Sequence, residues 1–436
     1  MTAAGGDSGN GRASEERDQF IPVRKTDILD KLVEHGPFAD EAQRSNFRQI
    51  CRMLAAVYHY EYFDKLEHLR HAYYYFNPEI DADGRFDAAT VEAAYAELNV
   101  AFLAVLKGAN FVEVPHDEIE QAHRARAEMR VEVKAPIEDF REVRFFRRGH
   151  HQERFDVARW FGYGRKQVDA LVYDDIVLFV AMKTVPEAEP RRRRTAQRKV
   201  RPGAVLIKYF RNIASADLNA LFPNVRVVMS TFDKVVLAVP ALAGGIPILL
   251  NLASTVTVLF LVIGFYLGIS AAVQEDQMKG AFAAMSGLVA LGGFIMRQWV
   301  KYQRQSLKYQ QELTDNIYFR NVNNNAGIFD HIIGAAEEQE CKEAFLAYYF
   351  LHTAPAPMSQ ADLDRSIEGW LKDKFKLDID FEVEDALGKL ERLRLLVRDG
   401  DRLSVLSPER ALARIDEVWD NYFQFNAAAK EAAAQA

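Results

Sequence analysis

The stretch VVLAVPALAGGIPILLNLASTVTVLFLVIGFYLGISAAV, residues 235–273, contains no charged side chain. After a polar break at 274–280, a second uncharged run, AFAAMSGLVALGGFIM, fills 281–296. A soluble core helix seldom needs more than about 12–14 consecutive apolar residues, whereas a bilayer needs about 20. The sequence therefore predicts a membrane-embedded middle, 235–300, flanked by water-soluble ends. The polar break carries Glu275, Asp276 and one lysine, Lys279. Residues 183–234 hold twelve Lys/Arg against four Asp/Glu, and Arg297, Lys301, Arg304 and Lys308 follow the second run. Basic residues collect on the cytoplasmic side. Both termini are thus expected in the cytoplasm, with an even number of spans at about 252–273 and 281–299.

The second span has about sixteen residues before Arg297, or about 24 Å at 1.5 Å per residue. Arg297 can snorkel and Trp299 can sit among the headgroups. Residues 235–250 carry the breakers Pro240, Gly244, Gly245 and Pro247. They form a re-entrant or interfacial piece, an extension of the first span, or a third full span, which would put the soluble ends on opposite sides against the charge bias. Gly264 and Gly268 have GxxxG spacing, and Ala283 and Gly287 offer a matching small face. Small residues let helix backbones approach closely. The pairing is either the hairpin packing on itself or a homodimer seam.

Outside this region the chain reads as ordinary globular protein. Its 436 residues suggest two or three domains, with 49% hydrophobic and 27% charged residues. A mean hydropathy of −0.19 excludes a polytopic transporter with most of its mass in lipid. The net charge of −7 gives no reason to expect nucleic-acid binding. Cys51 and Cys341 sit in helical patterns and read as reduced and buried. Residues 1–19 are expected to be a disordered lead-in. They lack the apolar core of a secretory signal, and Asp7, Glu15, Glu16 and Asp18 argue against a transit peptide.

Residues 20–129 are expected to be helical. Thr26 is placed to cap a first helix bearing Ile28, Leu29 and Leu32. A long run with Phe47, Ile50, Leu54 and Val57 on one face ends in Tyr73-Tyr74-Tyr75-Phe76, and a further helix stops at Gly108. Over 130–234 the period changes to two, predicting an antiparallel meander of four or five strands interrupted by a basic loop. Residues 301–424 return to helix, with Ser359 as a cap and a hairpin signal at Asp399-Gly400. Three helices, a hairpin and a helix give a winged-helix-like order, and an alanine-rich tail occupies 425–436. The fold class is an α+β membrane protein.

Four constellations could carry chemistry. Asp64, His68 and His71 fall on one helical face, where two imidazoles and a carboxylate could ligate a metal; a solvated polar face is the simpler reading. Glu337, Glu338, Glu340 and Glu343 accompany Cys341 on one helix, read as an exposed acidic face with the cysteine inward. His150-His151 follow Arg147-Arg148-Gly149 at an expected turn between strands, where a phosphate or lipid headgroup could bind; a hydrated turn is the simpler reading. Arg191, Arg192, Arg193, Arg194, Arg198, Lys199 and Arg201 form a loop suited to anionic lipid. No catalytic residue, resident metal or cofactor is assigned. Nucleotide-binding loops, HExxH, GxSxG and CxxC are all absent from the sequence.

Several ordered blocks resemble one family. They are Phe20-Ile-Pro-Val-Arg24, Phe145-Phe-Arg-Arg-Gly149, Phe210-Arg-Asn-Ile213 with Ala216-Asp-Leu218 and Leu221-Phe-Pro-Asn224, then Asn324-Asn-Ala-Gly327 and the helix from Glu337 to Phe350. Together they are similar to the transmembrane protein 143-like family (domain of unknown function 3754), over most of the chain. Ala214 stands where the family block has Pro. The resemblance implies a membrane protein with two spans and implies no activity; the acidic N-terminus favours a bacterial member, in the inner membrane.

The function expected from these readings is a membrane-tethered scaffold or regulator. Its partners would be the lipid bilayer, anionic headgroups and other proteins, with a homodimer open and nucleic acid excluded. A membrane-bound enzyme acting on lipid or a small solute, and a small channel of oligomerised hairpins, are the alternatives. The end of the chain from Glu337 to Asp420 carries twelve Lys/Arg against twenty Asp/Glu, which a DNA phosphate backbone would repel.

Overall fold

Apolar residues at three-and-four spacing build two helices at the start, α1 (Lys25–His35) and the long α2 (Glu41–Tyr73). These and all later coordinates come from a computed structural model. It describes residues 17–80, 86–115, 117–119, 131–134, 140–158, 165–184, 200–223, 226–229, 260, 263–265, 267–268 and 275–422. The expected lead-in (save its last residues), the loop at 191–199, the 235–250 segment, most of the first span and the alanine-rich tail lie outside the described residues.

Arg24, not Thr26, is the residue ahead of α1, and Thr26 falls in the first turn. Asp40 caps α2 by accepting from the Gln43 N–H at 2.8 Å, and Asp87 caps α3 (Ala88–Gly108) by accepting from Thr90. The aromatic stretch that ends α2 is a clamp. The Tyr73 hydroxyl donates to the Val205 carbonyl at 2.8 Å, and the Val205 N–H donates to the Phe76 carbonyl at 3.0 Å.

Strands β1 (Val112–Glu113), β3 (Phe140–Ala158), β4 (Arg165–Met182), β5 (Val205–Ala214) and β7 (Asn321–Asn324) form one antiparallel sheet in the order β1-β3-β4-β5-β7. The meander expectation needs correction at its ends. Val131–Lys134, β2, pairs with β6 (Arg226–Met229) in a separate two-stranded ribbon. The outer strands of the sheet come instead from segments read as helical. β7 pairs Asn324 with Lys208 and Asn323 with Tyr209, covering a β5 edge whose backbone groups would otherwise be unpaired. A 3-10 turn, Ser215–Ala220, follows β5.

A single helix, α4 (Glu275–Arg320), carries the second uncharged run and continues unbroken to β7. Then come α5 (Gly327–Thr353), α6 (Gln360–Phe375), α7 (Val383–Arg392), the hairpin β8–β9 (Leu396–Asp399, Arg402–Val405) and α8 (Pro408–Asp420). This is the element order read from the sequence. Ser359 caps α6, Gly400 takes φ +58 in the hairpin turn, and Met358 bridges to Leu403 beside it.

Three apolar clusters hold the body together. One joins α1 and the first half of α2 to the second half of α5 and the whole C-terminal module. Another joins the end of α2, α3 and the start of α5 to one face of the sheet, through Val177, Phe179, Ile207 and Tyr209. The third packs Leu218, Leu221 and Phe222 on the opposite face, against Phe145, Ile176, Leu178 and Phe210. The sheet is thus buried on both sides, which explains why 176–182 in β4 is continuously apolar. The regions 20–129, 130–234 and 301–424 share cores.

Among the described residues, one helix is long and apolar enough to cross a membrane, α3. Its Leu98, Phe102, Val105 and Leu106 are buried, and the Phe102 ring lies 5.6 Å from Phe179 and 6.3 Å from Phe329. It is a core helix of this body. On α4 the opposite holds: Phe282, Met285, Val289, Ile295 and Met296 are all more than half exposed.

Candidate functional site

Three strands bring three charges into line. Arg148 on β3 stands opposite Asp175 on β4, which stands opposite Arg211 on β5. Arg148 donates to Asp175 Oδ2 from Nε (3.0 Å) and Nη2 (2.6 Å), and Arg211 Nε donates to Oδ1 at 3.1 Å. The Tyr209 hydroxyl also donates to Oδ1. Asp175 and Arg148 are buried, with side chains 4% and 5% exposed. Burial alone would push the Asp175 carboxyl up; Arg148, Tyr209 and Arg211 outweigh it and hold it below its ordinary value. His331 of α5 lies over Tyr209 at 4.5 Å, and burial lowers its pKa.

Gly149 lets β3 run past this point. Its φ is +67, and a Cβ there would stand 2.4 Å from Asp174 Oδ2. The turn expected at His150-His151 is therefore continuous strand: His151 bonds Asp174 at 2.7 Å, and His150 faces Asp18 at 3.6 Å. Gly149→Ala combines left-handed backbone with this clash. We expect a loss of about 1–3 kcal/mol, read as a lowered urea midpoint; an unchanged midpoint would contradict the geometry.

A second buried cluster adjoins the first. Phe20 covers the Arg148 guanidinium at 4.3 Å, and the Lys342 ammonium lies 5.7 Å from the same ring. Lys342 donates to the Ile21 carbonyl at 2.9 Å and to Gln339 at 3.1 Å. Burial lowers its pKa to about 8. At the next residue, Glu343 meets Lys389 of α7, which also reaches Asp385 at 2.7 Å and Glu340 at 3.1 Å. The Tyr62 hydroxyl donates to Glu340 at 3.0 Å. Burial raises Glu343 to about 7 against the pull of Lys389, with Glu340 and Asp385 adding to the rise. Burial would lower Lys389, but its three carboxylates raise it, so the ammonium stays charged.

The acidic face of α5 is therefore not exposed, contrary to the sequence reading. Glu337 bonds His59 at 2.8 Å and Lys25 at 3.1 Å, and Glu338 accepts from the Lys25 N–H. Cys341 packs inward as expected, and burial pushes its thiol up to about 12. These carboxylates bind the chain's own cations and hydroxyls. They join the N-terminal helices to the C-terminal module.

The other sequence candidates do not converge. His68 pairs with Glu97 at 3.2 Å, the His71 ring lies edge-on to Tyr75, and Asp64 is exposed. Among the described residues no group of three or more His, Cys, Asp and Glu could hold a metal. Arg201 donates to the Tyr75 carbonyl at 3.0 Å; Arg191, Arg192, Arg193, Arg194, Arg198 and Lys199 lie outside the described residues. The Leu267 N–H bonds the Ile263 carbonyl as in a helix, and Gly268 takes φ +75 at a turn, so the backbone leaves the helical path at Gly268. Ala283 and Gly287 lie on α4.

The sequence reading missed the Asp175 hub. A signal was there: an aspartate adjoining a run as apolar as 176–182 is drawn into the buried sheet and must find a cation. The blocks that carry the family resemblance meet here. Phe20 and Ile21, Arg148 and Gly149, Arg211, and Lys342 are all in the two clusters.

Residues 173–327 match the sequence profile of a family described as Protein of unknown function (DUF3754). This stretch carries that domain of unknown function. It runs from β4, just before Asp175, through α4 and β7 to the first residue of α5. No solved structure matches the chain.

Proposed function

We propose that the chain is a membrane-tethered scaffold or regulator of the transmembrane protein 143-like kind. A hairpin within 235–300 anchors it in a bacterial inner membrane, with both termini in the cytoplasm. One observation carries the reading. A sheet strand ahead of the uncharged region, β5, and the strand after it, β7, are hydrogen-bonded neighbours. A segment that leaves and rejoins one sheet can cross a bilayer only an even number of times. The exposed apolar side chains on the first half of α4 support the same reading, because water penalises such a surface while hydrocarbon does not.

The buried carboxylates are engaged with cations and hydroxyls of the body, which favours a rigid platform for protein partners. At 1.5 Å per residue, α4 from Arg297 to Arg320 adds a stalk of about 36 Å between headgroups and sheet.

The test is fractionation of bacterial cells expressing the full chain. Membranes washed with alkaline carbonate should retain it, and detergent should release it. Recovery in the carbonate supernatant would overturn the tether. Orientation is read separately with Gln277→Cys: a membrane-impermeant maleimide should label it from the periplasmic side, above the low background of the buried Cys51 and Cys341.

A further inference from the structure

The cytoplasmic half of α4 carries a feature that the tether alone does not need. Arg297, Lys301, Arg304 and Lys308 are spaced i, i+4, i+7 and i+11, which at 3.6 residues per turn puts them on one face. All four are exposed. No aspartate or glutamate lies within four residues of Arg297, Lys301 or Arg304 on this helix. The four line a cleft of about 550 Å³ together with Met296 and Val300. That wall is amphiphilic: an apolar end at Met296 and Val300 continues into a row of cations. At the same level of the helix, on its opposite face, Trp299 and Tyr302 stack at 6.2 Å, an aromatic pair characteristic of a membrane interface.

We propose that this stripe is a binding site for anionic phospholipid, seating acyl chain against Met296 and Val300 and the phosphate among Arg297 and Lys301. The proposal rests on the membrane reading above and adds a ligand class to it. A free phosphate would use the cations but not the apolar end, which is why the wall favours a lipid.

Geometry divides the stripe. A headgroup layer is about 5–8 Å deep on each side of the hydrocarbon. With Arg297 at the hydrocarbon edge, Lys301 lies about 6 Å further along the helix, Arg304 about 10 Å and Lys308 about 16 Å. The first pair is therefore inside the headgroup layer. The second pair stands in solvent and senses the surface charge across roughly one Debye length. Each cation at the surface strengthens binding by about fivefold.

The test uses the full chain purified in a neutral detergent and titrated with dihexanoyl phosphatidylglycerol, dihexanoyl phosphatidylcholine and inorganic phosphate. The anionic lipid should bind at least tenfold more tightly than either comparator. Arg297→Gln with Lys301→Gln should weaken it by roughly thirtyfold. Arg304→Gln with Lys308→Gln should weaken it less, by an amount that vanishes at high salt. Wild-type affinity in the first double variant would overturn the proposal, as would equal binding of inorganic phosphate or of phosphatidylcholine. An unchanged melting temperature confirms that the variants are folded. The same variants are taken through carbonate washing: retention there with loss of lipid preference supports the stripe, while wild-type chain in the wash counts against the tether and leaves the titration to judge the stripe.

Discussion

Lys389→Met should lower the stability of the folded chain by about 3–5 kcal/mol, the cost of leaving buried charge without its counter-ion. Lys389 is the ammonium that Glu340, Glu343 and Asp385 share, and its side chain is 7% exposed. Removing it leaves three carboxylates facing one another. The readout is the urea midpoint of the purified chain, followed by the fluorescence of Trp370 and Trp419 in the C-terminal module. Adding Glu343→Gln to the Lys389→Met chain removes the most buried of the three charges and should recover part of the loss. If the single variant unfolds at the wild-type midpoint, the cluster is not what joins α5 to α7.

The same cluster sets a pH dependence. The Glu343 pKa is raised from 4.5 to about 7 in the folded chain, so folding takes up a proton there. Its contribution to stability is fully present below about 4.5 and is lost as pH rises through about 7. Glu343→Gln should flatten the stability profile across that window.

The second large effect is at Asp175. Among the described residues, Asp175→Ala leaves buried Arg148 with only the Ala109 carbonyl, at 3.3 Å, as a hydrogen-bond partner. Arg211 is half exposed and can turn to water; Arg148 cannot. We expect a loss of about 3–5 kcal/mol in the single variant. Replacing the pair together, Arg148→Met with Asp175→Leu, removes both charges and fills the space, and should recover most of it. Failure of the double variant to recover would mean that the hydrogen bonds, rather than the uncompensated charge, carry the stability.

The local parts of the fold were legible because their signals are local. The three-and-four spacing in α2, the Ser359 cap and the Asp399-Gly400 turn each lie within a few residues of the structure they specify. What was hidden depends on distant partners. Glu337, Glu340 and Glu343 look like a solvent face because nothing near them in sequence reveals Lys25, Tyr62 and Lys389. Val131–Lys134 alternates like any sheet strand, and only the far-off β6 explains why it stands apart. β7 is four residues with three asparagines, a composition that argues against a strand, and it forms because the β5 edge is waiting for it.

That last pairing has a consequence for biosynthesis. The ribosome finishes β5 well before it reaches Asn321, and the hydrophobic region is made in between. Until then a raw β5 border lies open, and the N-terminal helices lack the α5 surface that seals their core. Such borders invite association with other chains. On the tethered reading, insertion into lipid comes before closure of the globular part, so a defect in the insertion machinery should appear first as aggregation of the cytoplasmic half-molecule.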